Sequence, residues 1–120
     1  MSAVLAESVA PARYVPAALP ATTIPVAAGD GIGPEIMAAT LAILKAADPA
    51  LQFHAVTVGL KAYDSGLMAG IGDDTWKAID EHKVILKGPI TTPQGGGYKS
   101  VNVTLRKTLG LYANLRPCVS

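Results

Sequence analysis

The chain has 120 residues, half of them hydrophobic and 16% charged, with 10 Lys and Arg against 9 Asp and Glu. That composition excludes intrinsic disorder, which needs low hydrophobicity and high net charge. A single cysteine, Cys118, and two histidines, His54 and His82, exclude a disulfide framework and a four-ligand structural zinc site.

The length suits one domain. Residues 1–21 are rich in Ala and Pro, and Pro11, Pro16 and Pro20 leave no helical face, so this stretch predicts a flexible N-terminal extension. It carries one Arg and no long apolar core, so no targeting signal is expected; with a single thiol, that points to the cytoplasm. No apolar run approaches the roughly 18 residues of a membrane span, so no membrane partner is expected. Thr23–Ala27 is a short β-branched and apolar run, read as a buried strand. It runs into Gly29-Asp30-Gly31-Ile32-Gly33-Pro34-Glu35, where Pro34 fits a first helical position and Glu35 complements the helix dipole. The helix extends to about Ala47, with Met37, Leu41 and Leu44 as its inner stripe and Ile36 and Ile43 widening it. Asp48-Pro49 stops it, and Gln52–Val58 predicts a second strand, most simply parallel to the first.

Residues 61–68 suggest a short helix, and Asp73 or Asp74 caps another with Trp76 and Ile79 facing inward. Val84–Leu86 predicts a short buried strand, followed by a long loop from Gly88 to Gly97. Loops of that length inside a compact α/β unit are usually functional. Ser100 is placed to cap a helix over about 101–109, Gly110 ends it, and Tyr112–Arg116 predicts a last strand. Cys118 reads equally as a small core residue or a surface thiol.

Charge is distributed unevenly. Residues 1–81 hold all 9 acids and 4 bases; residues 82–120 hold 6 bases and no acid. A basic third with no internal counter-charge asks for an anion from elsewhere. Tyr98 and Tyr112 are the only aromatics there, too few to favour base stacking, so a small polyanion is expected and not nucleic acid. Two phosphate-binding motifs fail on spacing. A dinucleotide fingerprint starting at Gly29 needs glycine at 34, where Pro34 stands, and a Walker A reading of the triple glycine needs glycine at 93 and 98, where Pro93 and Tyr98 stand. The start of the predicted last helix is more informative. Ser100, Asn102 and Arg106 bring a hydroxyl, an amide and a guanidinium to one helix end, with Asn102 and Arg106 at i, i+4. Arg116 could add a second fork, and paired arginines suit bidentate carboxylate binding. A capped surface helix with solvated arginines has the same spacing.

Four blocks in order, Gly29–Glu35 (GDGIGPE), Lys87–Thr92 (KGPITT), Gly95–Arg106 (GGGYKSVNVTLR) and Leu111–Pro117 (LYANLRP), resemble the isocitrate/isopropylmalate dehydrogenase family. The resemblance covers about residues 22–120. It implies an α/β fold, part of the large domain of that family, with an incomplete parallel or mixed sheet and flanking helices. It also implies NAD or NADP and Mg²⁺ or Mn²⁺ as cofactors, a homodimer, and oxidation of a 2-hydroxy acid followed by decarboxylation.

By the same resemblance Ser100 and Asn102 hold a carboxylate distal to the chemistry, and Arg106 and Arg116 clamp those near the reacting carbon. Thr91 lies between substrate and nicotinamide. Pro89, Ile90 and Thr92, together with Ile32 and Asn102, line the cofactor. Isopropylmalate-specific members carry leucines where this chain has Ser100 and Asn102. A hydroxyl and an amide suit a carboxylate, and an apolar group would leave them unpaired, so isocitrate is favoured over isopropylmalate, with homoisocitrate as a weaker rival. The family's metal-binding aspartates, acid–base Tyr and Lys, and adenosine-gripping loop have no matching positions here. The expectation is an amino-terminal piece of a longer enzyme, inactive alone. The rival reading is a non-catalytic, tricarboxylate-binding regulatory subunit.

Overall fold

The computed structural model describes residues 21–120; all but the last residue of the predicted N-terminal extension lies outside the described residues. Seven elements follow in chain order: β1 (Thr23–Ala27), α1 (Gly33–Ala47), β2 (Gln52–Ala55), α2 (Leu60–Asp64), α3 (Asp73–His82), β3 (Leu86–Lys87) and α4 (Val101–Thr108). The three strands form a parallel sheet in the order β2-β1-β3. Thr23 to Val26 pair in register with Gln52 to Ala55, and Val26 and Ala27 pair with Leu86 and Lys87.

Pro25 explains the brevity of β3, which was predicted over Val84–Leu86. In a parallel strand successive residues bond to alternate sides. The carbonyl of Val26 accepts from the β2 side (Val56 N–H, 2.9 Å) and that of Ala27 from the β3 side (Gly88 N–H, 2.8 Å). Pro25 shares the parity of Ala27, so its missing N–H falls on the β3 side. Pairing there begins only at Leu86, and Val84 is left exposed.

The second strand is also shorter than the expected Gln52–Val58. Beyond Val56 the chain is claimed by the start of α3: the Thr57 carbonyl accepts from Gly72 N–H at 3.0 Å and from the buried Thr75 hydroxyl at 2.8 Å. The Asp74 carboxylate takes the Thr57 N–H at 3.0 Å. Asp74 therefore braces a neighbouring segment. Neither it nor Asp73 caps α3; the N-cap is Gly72, with no side-chain bond.

The core joins Ala27 of β1 to Val58, Tyr63 of α2, Ile71, Ile79 of α3, and Val101 and Leu105 of α4, with Trp76 and Ile90 packed against it. Trp76 and Ile79 thus face inward as expected. In α1 only Gly33 and Met37 are buried. Ile36 and Ile43 do not widen the inner stripe; they are 48% and 69% exposed, because a three-stranded sheet gives α1 little surface to lie against. The predicted strand Tyr112–Arg116 is not formed. Tyr112 and Leu115 are 100% and 89% exposed, and no described strand pairs with that stretch to take up its backbone hydrogen bonds. Cys118 is exposed. No described helix is long and apolar enough to cross a membrane.

Candidate functional site

The C-terminal ends of β1 and β3 meet closely enough that side chains are excluded. Gly29 has φ +85°, and a Cβ there would overlap the Pro89 carbonyl; a Cβ on Gly88 would overlap the Ala28 carbonyl. Glycine is thus required at both places by space, and at Gly29 also by conformation. The Asp30 N–H donates to the Pro89 carbonyl at 2.8 Å. The Asp30 carboxylate then accepts two further backbone N–H groups: Thr91 at 2.8 Å on Oδ2, and Leu60 at 3.1 Å on Oδ1 and 3.3 Å on Oδ2. One acidic side chain thereby ties together the β1–α1 turn, the start of α2 and the loop after β3.

Lys87 ends β3. It is half-buried, and its ammonium donates to the Gly88 carbonyl at 2.6 Å. Burial lowers its pKa below the usual lysine value, the Arg106 guanidinium lowers it further, and the Asp30 carboxylate opposes the shift. The three charges therefore share one neighbourhood, although they come from β3, α4 and the β1 turn.

Helix α4 is fixed in roll by Val101 and Leu105, both buried and four residues apart. That sets Asn102 and Arg106 one position further round, with Asn102 partly covered and Arg106 exposed. The helix start is held from outside. The Tyr63 hydroxyl donates to the Lys99 carbonyl at 2.6 Å, the Lys99 N–H donates to the Met68 carbonyl at 2.9 Å, and Tyr63 packs edge-on against Tyr98 at 5.3 Å. Ser100 is the N-cap residue by position, as expected. Its hydroxyl makes no capping bond, however, so it is available to a ligand. Arg106 has no ion pair among the described residues.

The structure thus puts Ser100 at the start of α4, Asn102 in its first turn and Arg106 one turn further on, in its last turn, and it holds Thr91 by its backbone beside the same turn as Ile32. Thr91, Pro89 and Ile32 are exposed, Thr92 is partly covered, and Ile90 is turned partly into the core. Arg116 is exposed in the stretch beyond α4. Sequence reasoning gave no role to Asp30, Lys87 or Tyr63. For Asp30 a signal existed, an acid between two glycines of a turn, which often braces nearby N–H groups. For Tyr63 there was none.

Chemically, the arrangement suits an anion. Arg106 lies near enough to Lys87 to lower its pKa, with one nearby acid whose oxygens are already engaged by N–H groups. No group of three or more His, Cys, Asp or Glu side chains that could hold a metal occurs among the described residues. They are accordingly given no part in holding the divalent ion that the resemblance implies.

The family model for isocitrate/isopropylmalate dehydrogenase matches residues 23–120. Isocitrate dehydrogenase (NADP) of Rickettsia conorii is 54% identical over 99 residues, covering 82% of this chain and 20% of that protein. Isocitrate dehydrogenase (NAD) subunit 2, mitochondrial, of Schizosaccharomyces pombe is 46% identical over 98 residues, covering 82% of this chain and 25% of that protein. Among solved structures, isocitrate dehydrogenase from Methylococcus capsulatus superposes with a TM-score of 0.69 at 40% identity, over 76% of this chain and 26% of that one. The chain spans about a fifth of the length of the curated relatives it matches first.

Proposed function

We propose a function from one premise: the chain belongs to the isocitrate/isopropylmalate dehydrogenase family. The protein that carries this chain oxidises isocitrate with NAD or NADP and decarboxylates it to 2-oxoglutarate, acting as a homodimer. The observation that carries the reading is an Arg106 with no ion pair among the described residues, near enough to Lys87 to lower its pKa, while the Asp30 carboxylate close by is already engaged by backbone N–H groups. A tricarboxylate supplies the missing negative charge. Ser100 and Asn102 bind one carboxylate by neutral hydrogen bonds, and Arg106 binds another in charge-assisted fashion.

The bound nucleotide supplies the hydride acceptor. The chain's own part is to hold and orient. Arg106 and Lys87 fix the substrate by its carboxylates; the Thr91 loop, anchored to Asp30, presents its hydroxyls and backbone where substrate and nicotinamide meet. Such placement converts encounter into a defined geometry, the main contribution that binding residues make to rate. Arg116 is the proposed second carboxylate clamp, and Ile32, Pro89, Ile90, Thr92 and Asn102 the cofactor contacts. Residues 22–120 form the amino-terminal part of the catalytic domain in this reading.

Calorimetric titration of the whole protein tests it, with Mg²⁺ present. Isocitrate should bind at least about tenfold more tightly than isopropylmalate, since the apolar branch leaves Ser100 and Asn102 unpaired. Equal or reversed preference contradicts the substrate assignment.

A further inference from the structure

Nothing in the proposed chemistry requires Asp30 to touch substrate, yet it is hydrogen-bonded to two segments distant in the sequence. Its backbone N–H is bonded to the Pro89 carbonyl at 2.8 Å, and its carboxylate takes the N–H of Thr91 at 2.8 Å and of Leu60 at 3.1 Å. The glycines around it are shaped to allow this. Gly29 lets the turn reach Pro89, and a Cβ on Gly59 would collide with the Asp30 carboxylate. Residues 88–100 contain no helix or strand, and Gly95, Gly96 and Gly97 all have positive φ, so the loop takes its order from bonds to other segments.

We propose that Asp30 is the positioning residue of this site, fixing through its carboxylate the Thr91 backbone and so the hydroxyl-bearing loop that meets substrate and nicotinamide. The inference rests on the dehydrogenase reading and extends it to a residue outside the binding set. A carboxylate is suited to the task because it accepts N–H groups from two directions at once, and bonds to an ionised acceptor are the stronger kind. An amide in its place keeps one acceptor oxygen and turns an NH₂ toward an N–H.

The test uses the whole protein with Asp30→Asn, and Asp30→Ala as a second variant, at a temperature well below both melting transitions. Amide hydrogen exchange is read without substrate, and steady-state kinetics on isocitrate in parallel. Exchange at Thr91 and Leu60 should quicken by about tenfold or more, the scale of a lost bond to a charged acceptor. Exchange at Val56, whose N–H is bonded to Val26 within the sheet, should not change. Turnover should fall by a similar factor, with kcat affected more than KM. Asp80→Ala, which removes only an exposed pair with Lys83, should leave kcat as it was.

A folded variant with altered exchange and unchanged kcat makes Asp30 merely structural and overturns the proposal. Unchanged exchange at Thr91 overturns it regardless of kinetics. If the unaltered protein does not turn over isocitrate, the dehydrogenase reading fails by itself, and exchange at Thr91 still decides whether Asp30 holds the loop.

Discussion

Arg106 lies near enough to Lys87 to lower its pKa, and in the proposed complex an isocitrate carboxylate offsets that positive charge. In the whole protein Arg106→Ala should therefore raise KM for isocitrate and lower kcat together, reducing kcat/KM by about 10- to 100-fold, the range for a lost charge-assisted hydrogen bond. Unchanged kinetics would remove Arg106 from the site. Ser100 makes a sharper test of role. A true capping hydroxyl is worth about 1 kcal/mol of stability, whereas the Ser100 hydroxyl makes no capping bond. Ser100→Ala should leave the melting temperature nearly unchanged while raising KM; a clear loss of stability with unaltered KM would reverse the assignment. Lys87 sets a pH dependence. Its folded pKa lies below the ordinary 10.5, chiefly through burial and then through Arg106. Between the lowered value and 10.5 the unfolded chain binds more protons, so stability from this group rises with pH across that window. Denaturation midpoints of the unaltered protein relative to Lys87→Met should rise there, and a fall would mean the sign is wrong. The residues on α4 were legible in the sequence because i, i+4 arithmetic needs only one helix. Asp30 was not, because its carboxylate partners lie 30 and 61 residues away.

The elements were read most reliably where local chemistry decides them. Pro34 and Glu35 start α1, Asp48 stops it, and Gly110, with φ +61°, follows α4. Strand ends were read less well because they depend on neighbours. Gln52–Val58 read as one strand, but Thr57 is taken by Gly72, Asp74 and Thr75, contacts formed only when α3 docks. The β3 boundary follows from Pro25, a residue on a different strand whose missing N–H becomes relevant only once the sheet order is known. The junction between β1 and β3 carries its own prediction. Gly29→Ala places a methyl against the Pro89 carbonyl at φ +85°. Strain of that kind costs about 1–3 kcal/mol before any clash is counted. The denaturant midpoint of the whole protein should drop accordingly, and an unchanged midpoint would show that the two loops are not in contact as described.

At the scale of the molecule, the fold supplies a rigid strand–helix–strand unit whose strand ends gather the turn, the Thr91 loop and α4. It also leaves apolar surface uncovered: Ile36 and Ile43 on α1, and Leu111, Tyr112, Leu115 and Val119 beyond α4, are all exposed. Uncovered apolar area and short strands with free edges weaken a domain and invite association. The 120-residue chain purified by itself should therefore melt broadly and at low temperature; a sharp transition at high temperature would contradict this. The chain spans about a fifth of the length of the relatives it matches first, and the proposed oxidation of isocitrate is assigned to the whole protein. That assignment is tested most directly by the initial rate of NAD and NADP reduction by the whole protein, with isocitrate and with isopropylmalate as alternative substrates and Mg²⁺ present. Reduction is expected with isocitrate, with kcat/KM at least about tenfold above that for isopropylmalate. No reduction with isocitrate, or faster reduction with isopropylmalate, would contradict it.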